Sequence, residues 1–536
     1  MKAAELLVKC LENEGVEYIF GLPGEEILDV LDALSRGHIK FIATRHEQGA
    51  ALMASAYGRL TGKPGVCLST LGPGATNLIT GIATATLDRA PLVAISGQTS
   101  LERMCKETHQ WLDLPEVMKP VTKWCHGIRL AEGIPEVVRR AFSLAQEEKP
   151  GATFLELPMD VATKDVSGNP LKIPQKEIQV PTTARIKTAV RLIGKAKFPV
   201  VIAGGGVIRA NASKELTAFA EKLGLPVAQT FMGIGSIPRS HPLARCILNL
   251  QAQDWSSSGL DEADLVITVG YDHIDCSPQF WNRGKVRQVL HIDRLPAEVD
   301  ACYTPELEIV AEIGKTLEML TGVCEVRKSS PVSQNDGGAR RELERYQGDD
   351  SFPLKPQRVI SDLRKVIGED DILVSDVGAH KLWLARLYPA QRPGELIISN
   401  GFAPMGYGVP TAISAKLAYP EKKAVVVMGD GGFWLNAQEM ETAKRLGVAF
   451  VSVIWVDNSY GLIEWKQMNR FGRAFGVRFT NPDFMKYAAS LGLSGCRINK
   501  AREFLPALCA ALKEKLPSII EVPIDYGENH RLLESL

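Results

Sequence analysis

The chain has 536 residues, 45% of them hydrophobic, and its 62 Lys plus Arg balance 62 Asp plus Glu. That length excludes a single small module, since domains run to about 150 residues, and the zero net charge gives no general field to attract nucleic acid or an anionic membrane. No uncharged apolar run reaches the roughly 18 residues that span a bilayer, and ten cysteines without CxxC spacing fit reduced thiols of a cytoplasmic protein better than disulfides or a zinc site.

Met1 to Cys10 reads as an amphipathic helix with Leu6, Leu7 and Cys10 on one side. The short apolar runs Tyr18–Phe20, Lys40–Ala43, Gly65–Leu68 and Leu92–Ile95 are predicted strands, and stretches such as Glu47–Leu60 are predicted helices between them. This alternation predicts a parallel sheet buried between helices. It recurs at Pro199–Ala203 and Leu265–Val269, then at Ile372–Val374, Ala424–Val427 and Phe450–Ile454. Three doubly wound α/β domains follow, over residues 1–165, 185–325 and 355–536. Two segments of different composition join them: Lys164–Ala184, and Val326–Pro356 with its Ser329-Ser330-Pro331 and Asn335-Asp336-Gly337-Gly338.

In the third block the strand Ala424–Met428 ends in Gly429-Asp430-Gly431-Gly432, and a helix is predicted over Ala437–Leu446. The next strand ends in Asp457-Asn458-Ser459-Tyr460-Gly461. Ligands of open parallel sheets bind outside the carboxyl ends of the strands, so both acidic segments are expected at one crevice. Two hard oxygen ligands completed by phosphate oxygens suit Mg²⁺, and the glycines let backbone amides approach a diphosphate. Singly, each segment also reads as a turn and a helix cap.

Together, in this order and spacing, they resemble the cofactor motif of thiamine-diphosphate enzymes. The resemblance implies pyrimidine-binding, central and diphosphate-binding domains, with Mg²⁺ on Asp430, Asp457 and the carbonyl of Ser459; Asn458 stays open as the alternative to Asp457. It makes Glu47, in Arg45-His46-Glu47-Gln48-Gly49-Ala50-Ala51, the carboxylate that activates the cofactor's aminopyrimidine. Similar segments imply further cofactor contacts from Pro73 and Asn77, Gly378 and His380, Ala403 and Met405, Gly429, Gly431 and Gly432, and Tyr460, Gly461 and Leu462. Met405 is the side chain expected beneath the cofactor, and Gly24, in Gly21-Leu22-Pro23-Gly24, is expected near the substrate.

Glu107-Thr108-His109-Gln110-Trp111-Leu112-Asp113 is similar to a segment of the catabolic acetolactate synthases, which implies that Gln110 and His109 face the reacting carbons. Val269–Asn282 and Ile520–Tyr526 resemble the same group. Ile463-Glu464-Trp465-Lys466-Gln467 departs from it, on a helix that in relatives lines the acceptor pocket, so Trp465 and Gln467 are expected at the substrate with the acceptor open. Ala203-Gly204-Gly205-Gly206 lacks the full GxGxxG pattern, and FAD is not expected.

The implied reaction decarboxylates pyruvate and joins the fragment to a second pyruvate, giving 2-acetolactate. The shared motifs also fit another 2-oxo-acid decarboxylase, carboligase or lyase, benzaldehyde-lyase-like or CoA-linked. The family usually builds its site between two chains, which implies a homodimer or homotetramer.

Overall fold

The structure is a computed structural model that describes every residue except 105, 176, 249–257, 285, 327–337 and 534–536. Cys105 and residues 327–337 of the second predicted linker, including Ser329-Ser330-Pro331 and Asn335-Asp336-Gly337, thus lie outside the described residues.

Three six-stranded sheets form, every pairing in them parallel. The first holds β1 Tyr18–Gly21, β2 Lys40–Ala43, β3 Gly65–Ser69, β4 Leu92–Gln98, β5 Trp124–Gly127 and β6 Ala152–Pro158. The second holds β7 Pro199–Ala203, β8 Val227–Gln229, β9 Ala244–Ile247, β10 Leu265–Val269, β11 Gln288–Asp293 and β12 Leu307–Val310. The third holds β13 Ile372–Ser375, β14 Leu396–Ile398, β15 Ala424–Gly429, β16 Val451–Val456, β17 Ser494–Arg497 and β18 Ser518–Pro523. Central strands such as β3, β10 and β15 are buried on both faces, which is why they read as continuous apolar runs rather than alternating ones.

The first and third sheets share one topology, β2-β1-β3-β4-β6-β5 and β14-β13-β15-β16-β18-β17; the second runs β12-β11-β10-β7-β8-β9. In each there is a point where the chain leaves a strand for one side and later returns on the other, opening a crevice at the carboxyl ends. In the first sheet it lies between β1 and β3, in the third between β13 and β15. The segments emerging there are Gly21–Gly24 with Thr70–Asn77, and Asp376–His380 with Gly429–Gly432.

Helix Glu47–Thr61 begins at His46, whose ring nitrogen accepts the Gln48 N–H at 3.0 Å, and stops at Gly62 in the left-handed conformation. Its small residues Ala50, Ala51, Ala54 and Ala56 are buried, which lets it pack closely on helix Gly408–Ala418 of the third domain. One hydrophobic core therefore runs through both domains, from Leu52 and Met53 to Val426, Met428 and Phe433.

The Gly-rich segment corrects one expectation. Helix begins at Asp430 itself and runs to Asn436, with a second helix over Glu439–Leu446, where the sequence suggested a turn followed by helix from Ala437. Two glycines made the segment look like a loop, but packing against the Asp376 turn holds Gly432 helical.

Among the described residues no helix is long and apolar enough to cross a membrane. All nine described cysteines are free; five are buried, and Cys496 is exposed.

Candidate active site

The first-domain half gathers around Glu47, the opening residue of its helix, only 5% exposed. Asn77 donates its side-chain amide to Glu47 Oε2 at 3.0 Å. Pro73 starts the short helix that carries Asn77, and Gly24 and Gly74 both rest on the Thr70 side chain, with Gly74 also facing Glu47 Oε1. Gly72 adopts φ +49°, and a Cβ there would lie 2.6 Å from the Gln110 carbonyl oxygen. Gln110 itself holds φ +58°, an uncommon conformation for a residue with a side chain and one that clusters at functional sites. Asn77 and Gly74 thus reach Glu47, Gly24 lies against the adjoining Thr70 and Gln110 against Gly72, and Pro73, His109 and Gln110 are exposed. Sequence reasoning missed Gln98, whose side chain anchors the Gln110 loop by donating to the Leu112 carbonyl at 3.0 Å and to buried Glu156 at 2.8 Å.

The third-domain half is built on two carboxylates. Asp430 Oδ1 accepts the Gly431 N–H at 2.8 Å, and Oδ2 accepts the Asn458 N–H and the Asn481 side-chain amide, each at 2.8 Å. Asp457 Oδ1 accepts only a longer bond from the Ser459 N–H at 3.3 Å, while Gly461 closes on Oδ2. Burial raises the pKa of both carboxyls, and the Asp430 charge helps push Asp457 up to about 7. Among the described residues no Lys, Arg or His forms an ion pair with either.

Asn458 sits at φ +55°, its carbonyl taken by the Phe479 N–H and its side-chain oxygen by Asn481. Ser459 turns its hydroxyl to Glu464 at 2.5 Å. Asn481 carries no motif and was not among the residues expected here.

Asp376, fully buried, joins the strand ends to the segment of Ala403 and Met405. Its Oδ1 accepts the Val377 and Gly406 N–H groups at 2.6 and 3.0 Å, and Oδ2 accepts the Gly408 N–H at 2.8 Å. Desolvation nevertheless raises its pKa to about 6. Burial drives His380 the other way, to about 3, and leaves its Nε2 without a partner among the described residues. Gly378 and Gly429 border that ring, and Gly431 borders the ring of Tyr460. Met405 and Leu462 are half-buried.

Two expected substrate residues are not drawn into this cluster. Trp465 and Gln467 lie on helix Gly461–Phe471, which has no buried residue; Gln467 spends both ends of its amide on the Phe475 backbone, and Trp465 packs against the third-domain core. Nor does any hydrogen bond or ion pair among the described residues join Glu47 to Asp430 or Asp457.

The donor set suits an anion beside a cation. An unpartnered buried imidazole nitrogen and a string of glycines border two carboxylates that lack a counter-charge. Among the described residues no cluster of three or more His, Cys, Asp or Glu side chains can hold a metal alone, so other oxygens would have to complete the sphere.

Family models for thiamine pyrophosphate enzymes match in three parts: the N-terminal TPP binding domain over residues 1–117, the central domain over 186–320 and the C-terminal TPP binding domain over 376–522. The acetolactate synthase of Bacillus subtilis (strain 168) is 34% identical over 550 residues, covering 99% of this chain and 94% of that protein. The catabolic acetolactate synthase of Raoultella terrigena is 35% identical, with 99% and 97% covered. The large subunit of acetolactate synthase isozyme 1 of Escherichia coli (strain K12) is 33% identical, with 98% and 94% covered. With three domain models in order and such identity from end to end, the chain belongs to the acetolactate synthase family of thiamine pyrophosphate enzymes.

Proposed function

We propose that the protein is a flavin-independent acetolactate synthase that decarboxylates pyruvate and condenses the two-carbon fragment with a second pyruvate. Its domains are residues 1–165, 185–325 and 355–536. Asp430, Asp457 and the Ser459 carbonyl would hold Mg²⁺. Asp457 is preferred to Asn458 because the Asn458 side chain is already bonded to Asn481. Gly378, His380, Ala403, Gly429 to Gly432 and Tyr460 to Leu462 would hold the diphosphate, Glu47, Pro73 and Asn77 the aminopyrimidine, and Met405 the space beneath. When bound, thiamine diphosphate supplies the carbon nucleophile and the electron sink for decarboxylation.

The observation that carries this reading is Glu47: a buried carboxyl, hydrogen-bonded by Asn77 and free of any cationic partner among the described residues. Such a group can hold and return a proton at a bound heterocycle, while the apolar core behind it keeps water away. Gln110, His109 and Gly24 would face the substrate, with Trp465 and Gln467 at the acceptor. Because Glu47 and Asp430 share no hydrogen-bonding partner among the described residues of one chain, a second copy would complete each site, making the protein at least a homodimer. The free cysteines favour a cytoplasmic setting.

Flavin independence rests on the second sheet. At its switch point Ala203-Gly204-Gly205-Gly206 lacks the full GxGxxG pattern, and a Cβ on Gly206 would lie 2.5 Å from the Gly270 Cα, so Gly206 is explained by backbone-to-backbone packing without a flavin.

The test is incubation with pyruvate, thiamine diphosphate and Mg²⁺, with and without FAD. Acetolactate and CO₂ at a rate indifferent to FAD are expected. Acetaldehyde alone, a need for FAD, or undiminished turnover by Glu47→Gln would overturn the reading.

A further inference from the structure

Glu439 opens helix Glu439–Leu446 in the third domain and is wholly buried, yet its carboxylate serves the first domain. Oε1 accepts the N–H groups of Arg45 and His46 at 3.1 and 3.0 Å; Oε2 takes the Arg45 N–H at 3.2 Å and the Thr442 hydroxyl at 2.7 Å. Arg45 and His46 are the two residues immediately before Glu47. The same helix grips this stretch twice more: Arg445 donates to the Ala43 carbonyl at 2.5 Å, and Glu441 lies 4.0 Å from the Arg45 guanidinium.

The fit requires a missing side chain. A Cβ on Gly49 would sit 2.6 Å from Glu439 Oε1, so only glycine there lets the carboxylate reach the N–H groups. No ion pair of Glu439 itself exists among the described residues. A desolvated carboxylate bonded to two backbone N–H groups of another domain is a demanding arrangement for packing alone, because each charge-assisted bond removed leaves a buried group unsatisfied.

We propose that Glu439 is a positioning residue for Glu47. By fixing the backbone of Arg45 and His46 it sets the direction in which the Glu47 carboxylate leaves its helix. Since helix Asp430–Asn436 ends just before it, Glu439 ties that direction to the third domain of the same chain. The assignment rests on the reading of Glu47 as the activating carboxylate.

The experiment compares Glu439→Ala, Glu439→Gln and Gly49→Ala with the wild type as full-length holoenzymes. Loss of two charge-assisted bonds should lower kcat for pyruvate about a hundredfold in Glu439→Ala, with KM changed less than about threefold. Glu439→Gln, whose amide oxygen still accepts one N–H, should recover about tenfold of that loss. Gly49→Ala, which displaces the carboxylate without removing it, should resemble Glu439→Ala.

Two readouts need no turnover. Hydrogen exchange at the Arg45 and His46 amides of the cofactor-free chain should quicken in all three variants. Thiamine diphosphate with Mg²⁺, titrated by tryptophan fluorescence, should bind more weakly in the order Gln, then Ala.

Wild-type kcat and cofactor affinity in Glu439→Ala would overturn the assignment, as would equal losses in the Ala and Gln variants. If Glu439→Ala does not fold, wild-type kcat in both Glu439→Gln and Gly49→Ala overturns it. A wild type that leaves pyruvate untouched overturns the proposed function instead, and the exchange and titration results still decide the role of Glu439.

Discussion

Asn77 donates to the Glu47 carboxylate across a 3.0 Å contact, although 30 residues and strand β3 separate them in the chain. It is the one side-chain donor bonded to Glu47 among the described residues, in a pocket where the carboxylate is nearly sealed from water. A hydrogen bond to a charged buried group is worth about 1.5–3 kcal/mol. Asn77→Ala is therefore expected to lower kcat by roughly 10- to 150-fold with little change in the KM for pyruvate. Steady-state kinetics on pyruvate check this; a KM rise at constant kcat would show that Asn77 serves binding alone.

The Asp430 and Asp457 pair makes a different demand. A buried carboxyl beside a half-buried one, with no basic partner among the described residues, repels it, and a divalent cation relieves that repulsion. Chelation by EDTA is expected to abolish both turnover and thiamine diphosphate binding, and added Mg²⁺ to restore both. Asp457→Asn is expected to raise the Mg²⁺ concentration needed for half-maximal activity by more than about tenfold, and Asn458→Ala to do so far less. The reverse order would move the side-chain ligand to Asn458.

What the sequence disclosed, and what it withheld, divides along physical lines. Strands such as Val425–Val427 and Leu265–Val269 were legible because burial on both faces demands unbroken apolar runs. Glu47 and Asp430 could be singled out because each opens the helix that follows a strand, and because the surrounding segments resemble a known family. Asn481 was not: its partners Asp430 and Asn458 lie 51 and 23 residues away. Glu439 and Asp376 were hidden for a further reason. They bind backbone N–H groups, which every residue but proline owns, so no partner residue type marks the contact. The helix start at Asp430 was obscured by glycines that local propensity assigns to a turn.

Gly72 controls where Gln110 sits. A methyl group at Gly72 would meet the Gln110 carbonyl at 2.6 Å, and the φ of +49° is strained for any residue with a Cβ. Gly72→Ala is expected to destabilise by about 1–2 kcal/mol and to displace the loop whose Gln110 is itself held at positive φ. If Gln110 faces the reacting carbons, acetolactate yield per CO₂ released should fall more than CO₂ release itself. Parallel assays of the two products check this, and an unchanged ratio would remove Gln110 from the carbon–carbon bond-forming step.

Asp376 and His380, four residues apart on one turn, titrate in opposite senses. Asp376 is raised to about 6 in the folded chain from an ordinary 3.8, so its stabilising contribution is complete below pH 3.8 and is lost as pH rises through 6. His380 is depressed to about 3 from 6.5, so its contribution is complete above pH 6.5 and is lost as pH falls towards 3. At about 1.4 kcal/mol per pH unit for each group, the two slopes oppose each other between pH 4 and 6. His380→Gln removes the rising slope, so over that interval its stability relative to wild type should decline with pH. Asp376→Asn removes the falling slope, so its relative stability should climb, whatever constant offset follows from the amide facing the Gly408 N–H. Urea midpoints of the cofactor-free proteins, measured at intervals from pH 4 to 7, separate the two. Difference curves that slope the same way with pH in both variants would show that these groups do not govern stability in this range.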